Sequence, residues 1–303
     1  MCCLFGLIDT QSNLTNRQKN WLLWALAHAS EARGTDATGI TYNYHGKLLI
    51  YKRPCPGRCM RFHVPEDART VMGHTRMATQ GNCRKNYNNH PFSGRAGGQA
   101  FALAHNGVLS NDDMLRRKLA LPKTKIETDS YVAVQLIEKK KALTLNSLQF
   151  MAEQVRGSFT FTVLDEADNL YVIKGDNPFC LYHYPRYGLY LYCSTEEILQ
   201  TALSGAGLRL DRPERISSRY GDILRIDSAG NLEWGTFRCR QEGHWGCDYG
   251  WGRIFSASDE GTYLEALKSV SGAFGIFPEE IDRLYERGFA LEEIEDALYN
   301  REI

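Results

Sequence analysis

In GSFTFTVLDEADNLYVIKG (157–175), CLYHYPRYGLYLYCS (180–194) and GDILRIDSAGNLEWGTF (221–237), two runs of alternating apolar residues flank a short polar turn. Alternation of period two marks a strand with one buried face, and a turn of a few residues returns it antiparallel to its predecessor. A parallel pair would need a crossover of a dozen or more residues. GITYNYHGKLLIYKR (39–53) repeats the pattern about His45-Gly46. These hairpins exclude a doubly wound parallel sheet and predict an α+β chain built on two antiparallel sheets flanked by helices. LFGLID (4–9), TVMGHTRMAT (70–79) and QAFALAHNGVLS (99–110) add further strands.

Helical spacing of Trp21, Leu22, Ala25, Leu26 and Ala29, closed by Gly34, predicts the first helix. Others are expected in NDDMLRRKLA (111–120), DSYVAVQLIEKKK (129–141) and LNSLQFMAEQV (145–155). STEEILQTALSG (194–205) reads as a helix capped by Ser194 or Thr195, with acidic residues in its first turn. The expected organisation is one domain over 2–237, an irregular Gly-, Trp- and Cys-rich connector over 238–260, and a small helical appendage over 261–303. In the appendage, Pro278 suits a helix start and Gly288 a helix end.

Composition narrows the function classes. Net charge is zero and the pI about 7.1, so no general attraction to nucleic acid or anionic lipid is expected. No apolar run approaches a membrane span, and the N-terminus lacks the pattern of a secretory signal. Nine cysteines, an odd number spread over 303 residues, fit free thiols in a reducing compartment. A cytoplasmic protein is expected.

The chain opens MCCLFG. Removal of Met1 would leave Cys2 with a thiol and a free amine on one carbon. A thiol of ordinary pKa near 8.5 is already partly ionised at neutrality, and an α-amine near 7.7–8.0 can accept its proton. Such a residue brings its own general base. Alone, Cys2 reads as a small buried residue ahead of an apolar strand.

Four stretches complete a pattern behind it: EARGTDATGI (31–40), GHTRMATQG (73–81), AHNGVLSN (104–111) and ETDSYV (127–132). In this order and spacing they resemble the glutaminase domain of class II glutamine amidotransferases. These are N-terminal-nucleophile hydrolases of the kind found in glucosamine-6-phosphate synthase and amidophosphoribosyltransferase. The likeness spans roughly residues 2–237 and implies a four-layer αββα sandwich. It implies Cys2 as the nucleophile on the side-chain amide of L-glutamine, giving a γ-glutamyl thioester and ammonia. Asn106 and Gly107 would supply the oxyanion donors. Arg76 would take the substrate carboxylate with Thr79 and Gln80 beside it, and Asp129 the ammonium. Arg33, Gly34, Asp36 and Gly39 would support the nucleophile strand, with Arg33 also favouring thiolate. Each position has an ordinary alternative: Arg76 in a surface ion pair, Asn106-Gly107 at a hairpin turn, Asp129 as a helix cap.

Three positions depart from the family. Cys3 replaces the glycine after the nucleophile, where its bulk could crowd substrate or its thiol compete. Met77 stands for the aromatic after the arginine, and Gln80 for a histidine. Too few residues follow Phe237 for an acceptor domain, so ammonia would pass to a separate synthase or transferase subunit or be released. An amidase on a γ-glutamyl compound or small peptide, and an interaction protein of the same fold without catalysis, remain alternatives. The final helices, PEEIDRLYERGFALEEIEDALYN (278–300), could be a docking element; their glycine-phenylalanine turn is similar to that of ubiquitin-associated-type modules. No cofactor is expected, because GQAFALAHNG (98–107) lacks the lysine and pattern of a phosphate loop. No metal is expected either. Cys55, Cys59 and His63, with Cys83 or His90 as a fourth ligand, and Cys239, His244 and Cys247 have ligand-like spacing, but Pro56 and Gly57 break the helix the first group would need.

Overall fold

The computed structural model describes residues 2–206, 208, 210–238, 264, 267, 268, 271 and 276–300. The chain separates into two compact units, 1–240 and 241–303. In the first, one sheet has the order β11 (Glu214–Arg215), β9 (Cys180–Tyr184), β10 (Leu189–Cys193), β1 (Cys3–Asp9), β4 (Thr70–Arg76), β2 (Ala37–Tyr44), β3 (Lys47–Arg53). The other has the order β13 (Leu232–Thr236), β12 (Asp222–Ile226), β8 (Leu170–Ile173), β7 (Gly157–Asp165), β6 (Gln99–Leu109), β5 (Phe92–Ala96). Every ladder is antiparallel. The expected hairpins are all present.

Alternation sorts the side chains into three apolar layers. Cys3, Phe5 and Leu7 of β1 point to the outer face, where they pack with Leu22, Leu23 and Leu26 of α1 (Asn16–Ala29) and Leu199 and Ala202 of α5 (Glu196–Ala206). Leu4 and Ile8 point the other way and meet Ala102 and Ala104 of β6 and Leu164 of β7 between the sheets. On the far side, Phe101, Leu103, Phe161 and Val163 pack under α3 (Tyr131–Lys139) and α4 (Leu145–Gln154). Helix, sheet, sheet, helix is the αββα sandwich. The shorter α2 (Asp112–Lys118) follows β6.

Local signals account for most boundaries. Thr15 and Gln18 form a capping box at the start of α1, and Thr195 rather than Ser194 offers its hydroxyl to the α5 N-terminus, at Ile198 N. Two features were not anticipated. Trp21 is 49% exposed and stacks on Trp24 rather than entering the core. Strand β5, short and glycine-bearing, pairs with β6 about Gly97-Gly98, both at positive φ. The aromatic run 180–194 buries Tyr182, Tyr184, Tyr190 and Tyr192, as expected of a sheet face on a core.

In the second unit, α6 (Pro278–Glu286) and α7 (Leu291–Asn300) bury Ile281, Leu291, Ile294 and Leu298 with Leu267 and Ile276. Gly288, at φ +90°, ends α6: its N–H bonds Tyr285 O at 3.0 Å and that of Phe289 bonds Leu284 O at 3.2 Å. Phe277 and Phe289 stay exposed, at 72% and 43%. Among the described residues no helix is long and apolar enough to cross a membrane.

Candidate active site

The end of β1 that carries Cys2 lies beside the end of β4 that carries Arg76, because β1 and β4 pair Cys3 with Thr75. Cys2 is 8% exposed, and its thiol donates to Met77 O at 3.4 Å. Burial pushes the thiol pKa up; the positive chain terminus, a backbone hydrogen bond at Met77 and Arg76 pull it down, and Asp129 raises it. Arg76 and Asp129 are thus both near enough to Cys2 to act on its thiol, in opposite directions. Cys3 does not. Its sulfur lies 3.6 Å from Cys193 Sγ in the outer core, so the strand's own alternation turns the second thiol away from Cys2's face.

The loop after β4 is built by Arg76 and Asp36. The Arg76 guanidinium, 3% exposed, donates through Nη1 to Asn89 Oδ1 at 2.8 Å and through Nη2 to Gly81 O at 3.1 Å and to Gln80 O. It is no surface ion pair. Asp36 N donates to Arg76 O at 2.9 Å, and Asp36 Oδ2 accepts the Ala78 N–H at 2.7 Å. Thr79 is half-buried on this loop and the Gln80 side chain exposed. Arg33 Nε donates to the Cys2 carbonyl at 3.1 Å, while its buried Nη2 has no partner. Gly34 fits because a Cβ there would sit 2.5 Å from the Arg76 carbonyl carbon.

Asn106 and Gly107 are not a hairpin turn. They lie inside β6, paired with Thr160 and Phe159. Asn106 shares the face of Ala102 and Ala104 between the sheets and is fully buried; its Nδ2 faces Ser194 Oγ at 3.4 Å and its Oδ1 has no partner. Gly107 has φ +137°, and a Cβ on it would lie 2.0 Å from Ser158 O. Nor does the Asp129 side chain cap a helix: Oδ2 accepts the Leu109 N–H at 2.6 Å and Oδ1 the Ser130 hydroxyl at 3.3 Å. That ties the segment just ahead of α3 to the end of β6.

Sequence reading missed five participants. Asn89 is a hub: its side-chain oxygen holds Arg76, its side-chain nitrogen holds Cys83 O at 2.7 Å, and its carbonyl accepts Lys52 Nζ. Burial beside Arg76 lowers Lys52 to about 8. The His74 and His90 rings lie 4.1 Å apart, tilted by 34°, and His74 Nε2 donates to His105 O at 2.9 Å. The stretch NNHPF carries no signal of this, because the burial of Asn88, Asn89 and His90 emerges only in the fold. Ser194 gave none either.

The buried histidines carry a pH signature. Burial holds His74 at about 3 and lowers His90 and His105 too. The unfolded chain, with ordinary values near 6.5, binds protons that the fold does not. Stability is thus complete above pH 6.5 and is lost as pH falls towards 3; at pH 5, His74 alone accounts for roughly 2 kcal/mol. Thermal unfolding should show a lower midpoint at pH 5 than at pH 7.5, with a flatter fall in His74→Gln. A midpoint unchanged between those pH values would contradict the assignment.

Among the described residues no three His, Cys, Asp or Glu side chains could share a metal ion. Cys55 instead contacts Met60 Sδ at 3.6 Å; Cys239, His244 and Cys247 lie outside the described residues.

Two antiparallel sheets between helical layers, with a cysteine at the head of an inner strand, define an N-terminal-nucleophile type of fold. The B. subtilis glutamine phosphoribosylpyrophosphate amidotransferase has the same fold at TM-score 0.60 and 21% identity, over 78% of this chain and 49% of that one. Residues 74–200 match the family described as the glutamine amidotransferase domain. Glutamine-fructose-6-phosphate aminotransferase (isomerizing) of Listeria innocua is 32% identical over 186 residues, 59% of this chain and 29% of the relative. That of Pyrococcus horikoshii is 31% identical over 159 residues, 49% and 26%. The chain is thus similar over part of its length to glutamine amidotransferase domains and shares the fold of a glutamine amidotransferase. It spans less than a third of the length of these curated relatives.

Proposed function

We propose that this chain hydrolyses the side-chain amide of L-glutamine through Cys2 and hands the ammonia to an acceptor enzyme on a separate polypeptide. The observation that carries the reading is that Cys2 and Arg76 stand at the paired ends of β1 and β4, while Asn106 of β6 is joined to β1 through Ser194. After Met1 removal the Cys2 amine takes the thiol proton, the sulfur attacks the amide carbon, and the amine passes the proton to the departing ammonia. Water then cleaves the thioester, releasing glutamate and restoring the thiol. Asn106 Nδ2 and Gly107 N–H hold the oxyanion, each worth on the order of 10²–10³ in rate.

Both charged ends of a free amino acid find a complement. Arg76 has five N–H donors, of which three are engaged by Asn89, Gln80 and Gly81; the rest suit a carboxylate, with the Thr79 hydroxyl and the Gln80 loop beside them. Asp129 keeps lone pairs beyond those given to Leu109 and Ser130 for an ammonium. This favours free glutamine over a γ-glutamyl compound or peptide. The test is ammonia and glutamate release by protein from its native cell, with intact mass measured before and after a glutamine-analogue electrophile. Loss of Met1 and one label on Cys2 are expected; unlabelled protein that releases no ammonia would mark an interaction protein instead.

The charge distribution supports an acceptor on a separate polypeptide. Residues 1–240 hold 31 Lys and Arg against 22 Asp and Glu, and 241–303 hold 5 against 14. The second unit, acidic and bearing Phe277 and Phe289, suits a basic partner surface with an apolar pocket. Truncation after Gly261 is expected to leave ammonia release unchanged and abolish a complex that in the full chain weakens with salt. A salt-insensitive complex, or one that survives truncation, would remove the unit from this role.

A further inference from the structure

Ser194 directly follows β10 and is 1% exposed. The ladder between β1 and β10 ends at Phe5 and Cys193, so the next rung would have paired Leu4 with Ser194. The Ser194 side chain makes it instead: Oγ accepts the Leu4 N–H at 2.9 Å and faces Asn106 Nδ2 at 3.4 Å. One oxygen thus joins the strand that carries Cys2 to the strand that carries Asn106 and Gly107, across the space between the sheets.

We propose that Ser194 is a positioning residue that holds the Asn106 carboxamide with its nitrogen, not its oxygen, towards the nucleophile. The inference rests on the glutaminase reading. A carboxamide can turn over, exchanging Nδ2 and Oδ1 with little change in shape. For a developing oxyanion the two ends are opposites: an N–H attracts it and a carbonyl oxygen repels it. The Asn106 Oδ1 has no protein partner to fix the choice. Ser194 can fix it. Leu4 N–H occupies one lone pair of Oγ, and the remaining one faces Asn106 Nδ2 at 3.4 Å. What Oγ still offers Asn106 is a lone pair, which draws Nδ2 and leaves that nitrogen's second hydrogen for the oxyanion.

The test is steady-state glutamine hydrolysis by the full, Met1-processed chain, with kcat normalised to Cys2 sites titrated by a glutamine-analogue electrophile. Ser194→Ala is expected to lower kcat by about 10- to 100-fold, less than loss of the Asn106 donor itself, with little change in KM. Ser194→Thr, which keeps the hydroxyl, should recover most of the loss. In an Asn106→Ala background Ser194→Ala should cost nothing further in kcat, since the group it orients is gone. If Ser194→Ala does not fold, Ser194→Cys is read the same way, because sulfur keeps the volume but accepts weakly. A merely structural role would lower the fraction of titratable sites and leave kcat per site unchanged. That result, or effects at 194 and 106 that multiply, would overturn the inference while the wild type remains active. An inert wild type overturns the glutaminase reading and this inference with it.

Discussion

Cys2→Ala is expected to cut ammonia release from glutamine by at least about 10⁴-fold, as loss of a nucleophile does in other covalent mechanisms. The prediction is sharper than usual because a second thiol stands next in the chain. Cys3 keeps its sulfur in the variant, yet β1 alternation sends it to the outer core, 3.6 Å from Cys193 Sγ. That sulfur faces the helical layer of α1 and α5. A residue retained ahead of Cys2 should be as damaging, because the nitrogen then remains an amide and cannot accept the thiol proton. Both variants are measured by coupled glutamate detection against wild type at equal concentration. Residual activity above 1% in Cys2→Ala would mean that another group attacks the amide.

Gly107→Ala is expected to damage fold and activity together. The residue has φ +137°, where an L side chain is strained, and the added Cβ would lie 2.0 Å from Ser158 O and 2.6 Å from its carbon. Those atoms belong to β7, the central neighbour of β6, so relief means opening the ladder beside Asn106. Strain of this kind with overpacking costs roughly 2–5 kcal/mol. The same shift moves the Asn106 amide and the Gly107 N–H from the oxyanion, so the surviving folded fraction should lose about 10²-fold or more in kcat. Urea unfolding reads the first effect and site-titrated kcat the second. A variant as stable as wild type would show that β6 and β7 tolerate the separation. A stable variant with full kcat would remove Gly107 from the oxyanion site.

The polar stretches chosen in the sequence lie where β1, β4 and β6 end or meet loops, and there sequence carried most information. MCCLFG, GHTRMATQG, AHNGVLSN and ETDSYV are local patterns with demanding residues in them. Asn89 escaped because its work is to hold Lys52 and Arg76 from both ends, which no pattern around residue 89 announces. Ser194 escaped because, in sequence, it is an unremarkable serine before an acidic helix start; Thr195 beside it takes the capping role.

By itself the sequence determined the hairpins, hence antiparallel sheets, and the presence of a cysteine that processing would expose as an N-terminal nucleophile. Both follow from period, turn chemistry and residue type, which act over a few bonds. Tertiary structure decided that Cys3 is turned away, that Asn106-Gly107 lies inside a strand, and that Asp129 ties the segment ahead of α3 to the end of β6. It also decided that Ser194 bridges two sheets. Such pairings join residues tens to nearly two hundred positions apart, and their geometry depends on strand order and on which face each sheet buries. Local preference is indifferent to both.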